Sequence, residues 1–148
     1  MMIQILAAIV GTVAFSLLFG VPRQYYVLCG AIGGIGWAVY SFSEIAFSEV
    51  ISVLIATMVV IFLSRIAAVV KRCPATLFLI PGIFPLVPGA RVYWTTYYIV
   101  ADQVTEAAET GIAAVKIAVA IVLGIVFVFE IPQSFFIKIF HRKGYPGH

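Results

Sequence analysis

Charge is what this sequence lacks most. Lys, Arg, Asp and Glu make up 10% of its 148 residues, against roughly a quarter in ordinary soluble domains. With 64% of residues hydrophobic, the chain cannot cover its own surface with polar groups in water. Histidine is scarce too: His141 and His148 both stand in the basic C-terminal tail. A membrane-embedded metal or Ser–His site therefore has no material. Neither an enzyme nor a bound cofactor is expected. The two cysteines, Cys29 and Cys73, form no metal-ligand spacing and no disulfide framework, so both read as reduced and structural. No phosphate-binding glycine loop, dinucleotide fingerprint or zinc-protease helix is present, which excludes ATP-driven pumping by this chain alone. The net charge of +3 is small and scattered at the ends of apolar segments. It reads as topology signals and not as a nucleic-acid surface. Strand alternation, low-complexity stretches and a convincing internal repeat are likewise missing.

What is there is long apolar runs. A membrane-spanning helix takes about 20 apolar residues, so the chain has room for five short-looped spans in one transmembrane domain over residues 1–148. The spans fall at about 2–21, 25–42, 47–70, 75–101 and 110–137. The first has no basic n-region, outruns a typical signal-peptide core and is followed by Arg23. That pattern reads as a first spanning helix with its N-terminus outside. In the second, Gly30, Gly34 and Ala38 recur every four residues and Gly33 stands beside them. Such a small-residue face lets two helix backbones approach closely.

The charges test this count. Arg23 follows span one, Lys71 and Arg72 follow span three, and Lys138, Arg142 and Lys143 follow span five. The other ends carry acids: Glu44 and Glu49, then Asp102, Glu106 and Glu109. Positive residues mark the cytoplasmic side. Five spans with the N-terminus outside and the C-terminus inside satisfy every loop. Tyr25, Tyr26, Trp37, Tyr40, Tyr93, Trp94, Tyr97, Tyr98 and Tyr145 supply amphipathic aromatics, those at span ends being interface anchors.

Span four carries the most informative segment, Ile80-Pro81-Gly82-Ile83-Phe84-Pro85-Leu86-Val87-Pro88-Gly89-Ala90-Arg91. Three prolines and two glycines between Pro81 and Gly89 would cost a straight helix on the order of 10 kcal/mol. The helix is expected to break over Pro81–Gly89. Broken backbone at membrane depth is tolerated only where protein or a watery cavity satisfies the freed polar groups, and such helices form substrate sites in many secondary transporters. Pro81, Gly82, Pro85, Pro88 and Gly89 are therefore substrate-site candidates. The second half-helix would start near the bilayer middle, with its N–H groups and positive dipole end open to an anion. Arg91 in its first turn either meets a substrate carboxylate or pairs with an acid on a partner subunit. Thr95, four residues on, offers a hydroxyl on the same face.

Other polar residues are candidates for coupling or gating. Asp102, Glu106 and Glu109 share one helical face, either as a relay at the outer mouth or as a solvated helix end. Lys116 reads as a snorkelling side chain. Glu130, next to Pro132, suits buried pairing, proton carriage or an interface position. Arg65 either snorkels or lines a cytoplasmic vestibule. Ser52 and Thr57 read as helix–helix hydrogen bonders.

Four stretches in order resemble a known family. They are Phe19-Gly20-Val21-Pro22-Arg23, the run Cys29-Gly30-Ala31-Ile32-Gly33-Gly34, Ser64-Arg65 with Pro74 after a short polar loop, and Ile80 through Gly89 followed by Tyr93. Together they cover about residues 19–100. The chain is similar to the small, C-terminal-half proteins of the threonine/serine exporter family, whose members include the small subunit of a two-subunit bacterial succinate exporter. The last stretch is the most specific, and Arg91 is not part of the family pattern. The resemblance implies a separate larger subunit as partner. It also implies export of small amino acids or dicarboxylates across the bacterial inner membrane, driven by an ion gradient. Both substrate types carry a carboxylate. The competing expectation is a non-transporting membrane scaffold, assembled as a homo-oligomer through the span-two glycines.

Overall fold

The outward faces of this chain are as apolar as its core. Ile3 is 82% exposed and Val27 84%, and Val115, Val119 and Val122 also point away from the rest of the protein. A water-soluble monomer rarely shows large apolar patches of this kind; lipid accepts them. The computed structural model describes residues 1–141, and within them there are helices and turns but no strand. Arg142, Lys143, Tyr145 and His148, used above for topology, interface anchoring and the tail, lie outside the described residues.

Seven helices follow in order: α1 Met2–Leu18, α2 Tyr26–Ser43, α3 Glu49–Lys71, α4 Thr76–Ile83, α5 Gly89–Val100, α6 Val104–Phe129 and α7 Gln133–His141. Three uninterrupted segments are long and apolar enough to cross a membrane: Arg23–Ser43, Glu49–Lys71 and Val104–Phe129. The bent pair Thr76–Leu86 and Gly89–Val100 gives a fourth. The expected first span is a helix of 17 residues, about 25 Å at a rise of about 1.5 Å per residue, so it is shorter than the hydrocarbon core. The expected fifth span is displaced. Its helix begins at Val104 and ends at Phe129, because Pro132 cannot continue it, and Gln133–His141 form a separate helix.

Small residues set the packing. Against the α2 glycines, α1 runs antiparallel: Gly30 faces Ile9 and Val13, and Gly34 faces Ile5 and Ile9. Thr12 sits so tightly over Gly33 that an added Cβ there would collide with its hydroxyl. Thr12 and Ser16 are fully buried and turn their hydroxyls back to the carbonyls of Ala8 (2.7 Å) and Thr12 (2.8 Å). The small face of α2 is thus filled by α1 of the same chain and is not open to a second copy. On the other side of α2, Gly36 admits Val60 of α3.

Helices α3 and α6 run parallel. Thr57 and Leu54 abut Gly124, and further along Arg65 reaches Val128 and Ile131. Thr57 is not a hydrogen bonder between helices: it is buried, its hydroxyl has no partner, and it packs against the Gly124 hollow. Ser52 bonds within its own helix, to the Ser48 carbonyl at 3.0 Å.

Candidate functional site

The three prolines of the segment Pro81–Gly89 have three different effects. Pro81 lies inside α4 and does not end it. Lacking an N–H, it leaves the Leu77 carbonyl four residues back without its helical donor. The buried Cys29 thiol of α2 donates there instead, at 3.6 Å. Gly82, next along, lets α4 approach both α2 and α3; a Cβ would come within 3.1 Å of Ile32 and Val60. Pro85 falls in a 3-10 turn, Phe84–Leu86, whose Phe84 ring stacks on Phe15 of α1 at 3.9 Å.

Only Pro88 breaks the chain. A residue preceding proline is pushed out of the helical region, and Val87 accordingly adopts φ −64°, ψ 132°. Pro88 itself, at φ −77°, ψ 52°, closes a three-residue turn in which the Gly89 N–H donates to the Val87 carbonyl at 2.7 Å. The helices on either side are bent by 51°. The break is therefore confined to Val87–Pro88 and does not extend over Pro81–Gly89. Gly89 meets nothing: open space surrounds its missing Cβ.

Beyond the turn, α5 has none of its residues buried. It lies antiparallel to α6 across the turn Ala101–Gln103, where Asp102 takes a left-handed φ of 59°. The Thr95 hydroxyl donates to the Arg91 carbonyl at 2.7 Å and lies 3.0 Å from the Thr110 hydroxyl of α6, so it serves the hairpin. Ile117 of α6 shares a cavity with Glu49 at the start of α3. Since α3 and α6 are parallel, residues 104–116 of α6 continue about 20 Å past that level. The α5 start is likewise level with the first turn of α3 and not with its middle, where Val60 meets Gly82.

Arg91 and Glu49 form an ion pair, with Nε and Nη2 directed at the two carboxylate oxygens. The partner acid thus belongs to the same chain. Glu49 had been legible only as a loop charge, yet it ties the start of α3 to the start of α5. Their side chains are 37% and 34% exposed, and an ion pair this open is worth about 0–1 kcal/mol. The pair borders a cavity of about 260 Å³ lined by Trp37, Tyr40, Val53 and the segment Pro85–Arg91. Trp37, one of the amphipathic aromatics, has its indole Nε1 buried and without a partner. The Tyr40 hydroxyl donates to Glu44 at 3.1 Å. Among the described residues no backbone acceptor meets the N–H groups of Ala90 and Arg91. One cation, one anion and several residues with unused donors therefore line a small space.

The remaining candidates lie elsewhere. Arg65 is 8% exposed and donates through Nη1 to the carbonyls of Val128 and Ile131, with Phe136 under its guanidinium at 4.5 Å. It closes the end of α6 and borders a second cavity of about 530 Å³ with Thr76 and Gln133. Asp102, Glu106, Glu109, Lys116 and Glu130 are exposed and lie outside both cavities. Among the described residues no three of His, Cys, Asp and Glu converge closely enough to hold a metal ion.

No curated protein and no solved structure matches the chain. A family model does: the one described as "Threonine/Serine exporter, ThrE" matches residues 4–131. With the apolar outward faces of its helices, this is a helical membrane protein, and it belongs to the threonine/serine exporter family.

Proposed function

We propose that this chain is one subunit of a secondary-active exporter of small carboxylate-bearing solutes, threonine- and serine-like amino acids or dicarboxylates. It works in the bacterial inner membrane with a separate larger subunit of the same family. In this reading the chain crosses the membrane five times, α1 and the bent α4–α5 pair included, with its N-terminus outside. Basic residues at one set of helix ends and acids at the other support that orientation. The larger subunit would cover α5, which has no fully buried residue within its own chain.

The observation that carries the reading is the pocket at the helix break. There the Arg91 guanidinium, the uncapped start of α5 and the buried Trp37 indole offer donors to a carboxylate. Opening a weak ion pair to receive it would free α5 to swing about Val87–Pro88, the kind of hinge on which gating motions turn. The test is export of labelled threonine, serine and succinate from cells making this chain with and without the larger subunit. Partner-dependent flux of at least one is expected. Flux of none would overturn the reading.

A further inference from the structure

The Arg91–Glu49 pair and its cavity select between the two substrate classes left open above. We infer that Glu49 is a specificity-determining residue: with Arg91 it forms a pair of exchangeable counter-charges that receives the ammonium and carboxylate of a zwitterionic amino acid and rejects dianions. The inference rests on the exporter reading and sharpens it.

Four observations support it. The pair contributes one positive and one negative group to the same small cavity, so the lining has no net charge for a dianion to neutralise. A free α-amino acid carries both complementary charges on one carbon. It can replace each partner of the pair without stranding either. A dicarboxylate can replace only Glu49, leaving that carboxylate displaced beside a second anion. Glu44, which accepts from the hydroxyl of the cavity-lining Tyr40 at 3.1 Å, adds a further acid just behind the lining. The unpaired Trp37 indole N–H and the free N–H groups of Ala90 and Arg91 belong to residues that line the same cavity, and are donors suited to a carboxylate. Finally, the volume of about 260 Å³ is below the usual range for drug-sized ligands and suits a solute of a few heavy atoms.

The test measures selectivity within one cell, so that protein abundance cancels. Cells making both subunits are loaded with labelled L-threonine, its analogue with a hydroxyl in place of the amine (2,3-dihydroxybutyrate), and succinate. Wild type is expected to export threonine in preference to both acids. Glu49→Gln keeps the size and removes the charge. It should lower the threonine-to-dihydroxybutyrate flux ratio by at least about tenfold, the factor a lost hydrogen bond to a charged group gives. An unchanged ratio in Glu49→Gln with wild-type threonine export would overturn the inference and leave the exporter reading intact. Absence of wild-type flux for every solute would overturn both. The swapped double variant Glu49→Arg with Arg91→Glu restores an ion pair between α3 and α5 in the reverse sense. Normal abundance with lost threonine export supports the inference; full recovery of export would make the pair a structural latch and overturn it.

Discussion

Arg65 of α3 and Val128 of α6 are joined by a hydrogen bond at the point where a proline ends α6. In a continuing helix the Val128 carbonyl would receive the N–H of residue 132, but Pro132 has none. The Ile131 N–H donates to that carbonyl instead at 3.2 Å, and Arg65 Nη1 is a second donor that also holds the Ile131 carbonyl at 2.7 Å. A cation at a helix C-terminus is further favoured by the helix dipole. The packing of Arg65 on Phe136 adds a cation–π contact. Arg65 thus helps to fix the end of α6 while it also lines the larger of the two cavities.

Replacing it should cost stability before it costs anything else. Arg65→Ala leaves the Ile131 carbonyl without its donor and takes one of two donors from the Val128 carbonyl, and a loss of about 1–3 kcal/mol is expected. Thermal unfolding of the detergent-solubilised protein would read this as a lower midpoint. An unchanged midpoint would show that the bond contributes nothing.

The glycines divide sharply. Gly33→Ala drives a methyl into the Thr12 hydroxyl between α1 and α2, so it should destabilise by about 1–3 kcal/mol, as overpacking does. Gly89→Ala meets open space and should be neutral or slightly stabilising, since alanine is the better helix former. Membrane-inserted yield and unfolding midpoint compare the two directly. Equal damage at both positions would contradict the packing described here.

Cys29 and Pro81 should be energetically coupled. Cys29→Ala removes the one side-chain donor that the Leu77 carbonyl has among the described residues, at a cost of about 1 kcal/mol. Pro81→Ala restores a backbone N–H for that same carbonyl. A double-mutant cycle should therefore show the combined variant less damaged than the sum of the singles. Strict additivity would mean that the thiol is a bystander.

Several of these features were legible in the sequence, and the reason differs in each case. Long apolar runs need no tertiary information, so the helical membrane class could be read directly from composition. The break in the fourth apolar segment was legible because proline acts through its own backbone. Its width was overestimated, because the cost of Pro81 is relieved by Cys29, a contact 48 residues away in the chain. Gly30, Gly33 and Gly34 were recognisable as a close-packing face, but periodicity alone does not say which helix fills it. Glu49 was missed as a site residue. A charge at the start of a helix looks like any loop acid until the chain brings the first turn of α5 beside it. The unpartnered Trp37 nitrogen is likewise a property of its surroundings, since the same residue at a span end would be an interface anchor.

The account turns on Pro88. Pro88→Ala allows Val87 to become helical and removes the reason for the 51° bend, so α5 should no longer be hinged above the Arg91–Glu49 pocket. The direct measurement is export of labelled threonine from cells making the larger subunit with wild-type chain or with Pro88→Ala, at matched amounts in the membrane. The account predicts partner-dependent threonine export that Pro88→Ala reduces by at least about tenfold, about 1.4 kcal/mol in effect. Wild-type flux from Pro88→Ala at matched amounts would contradict it.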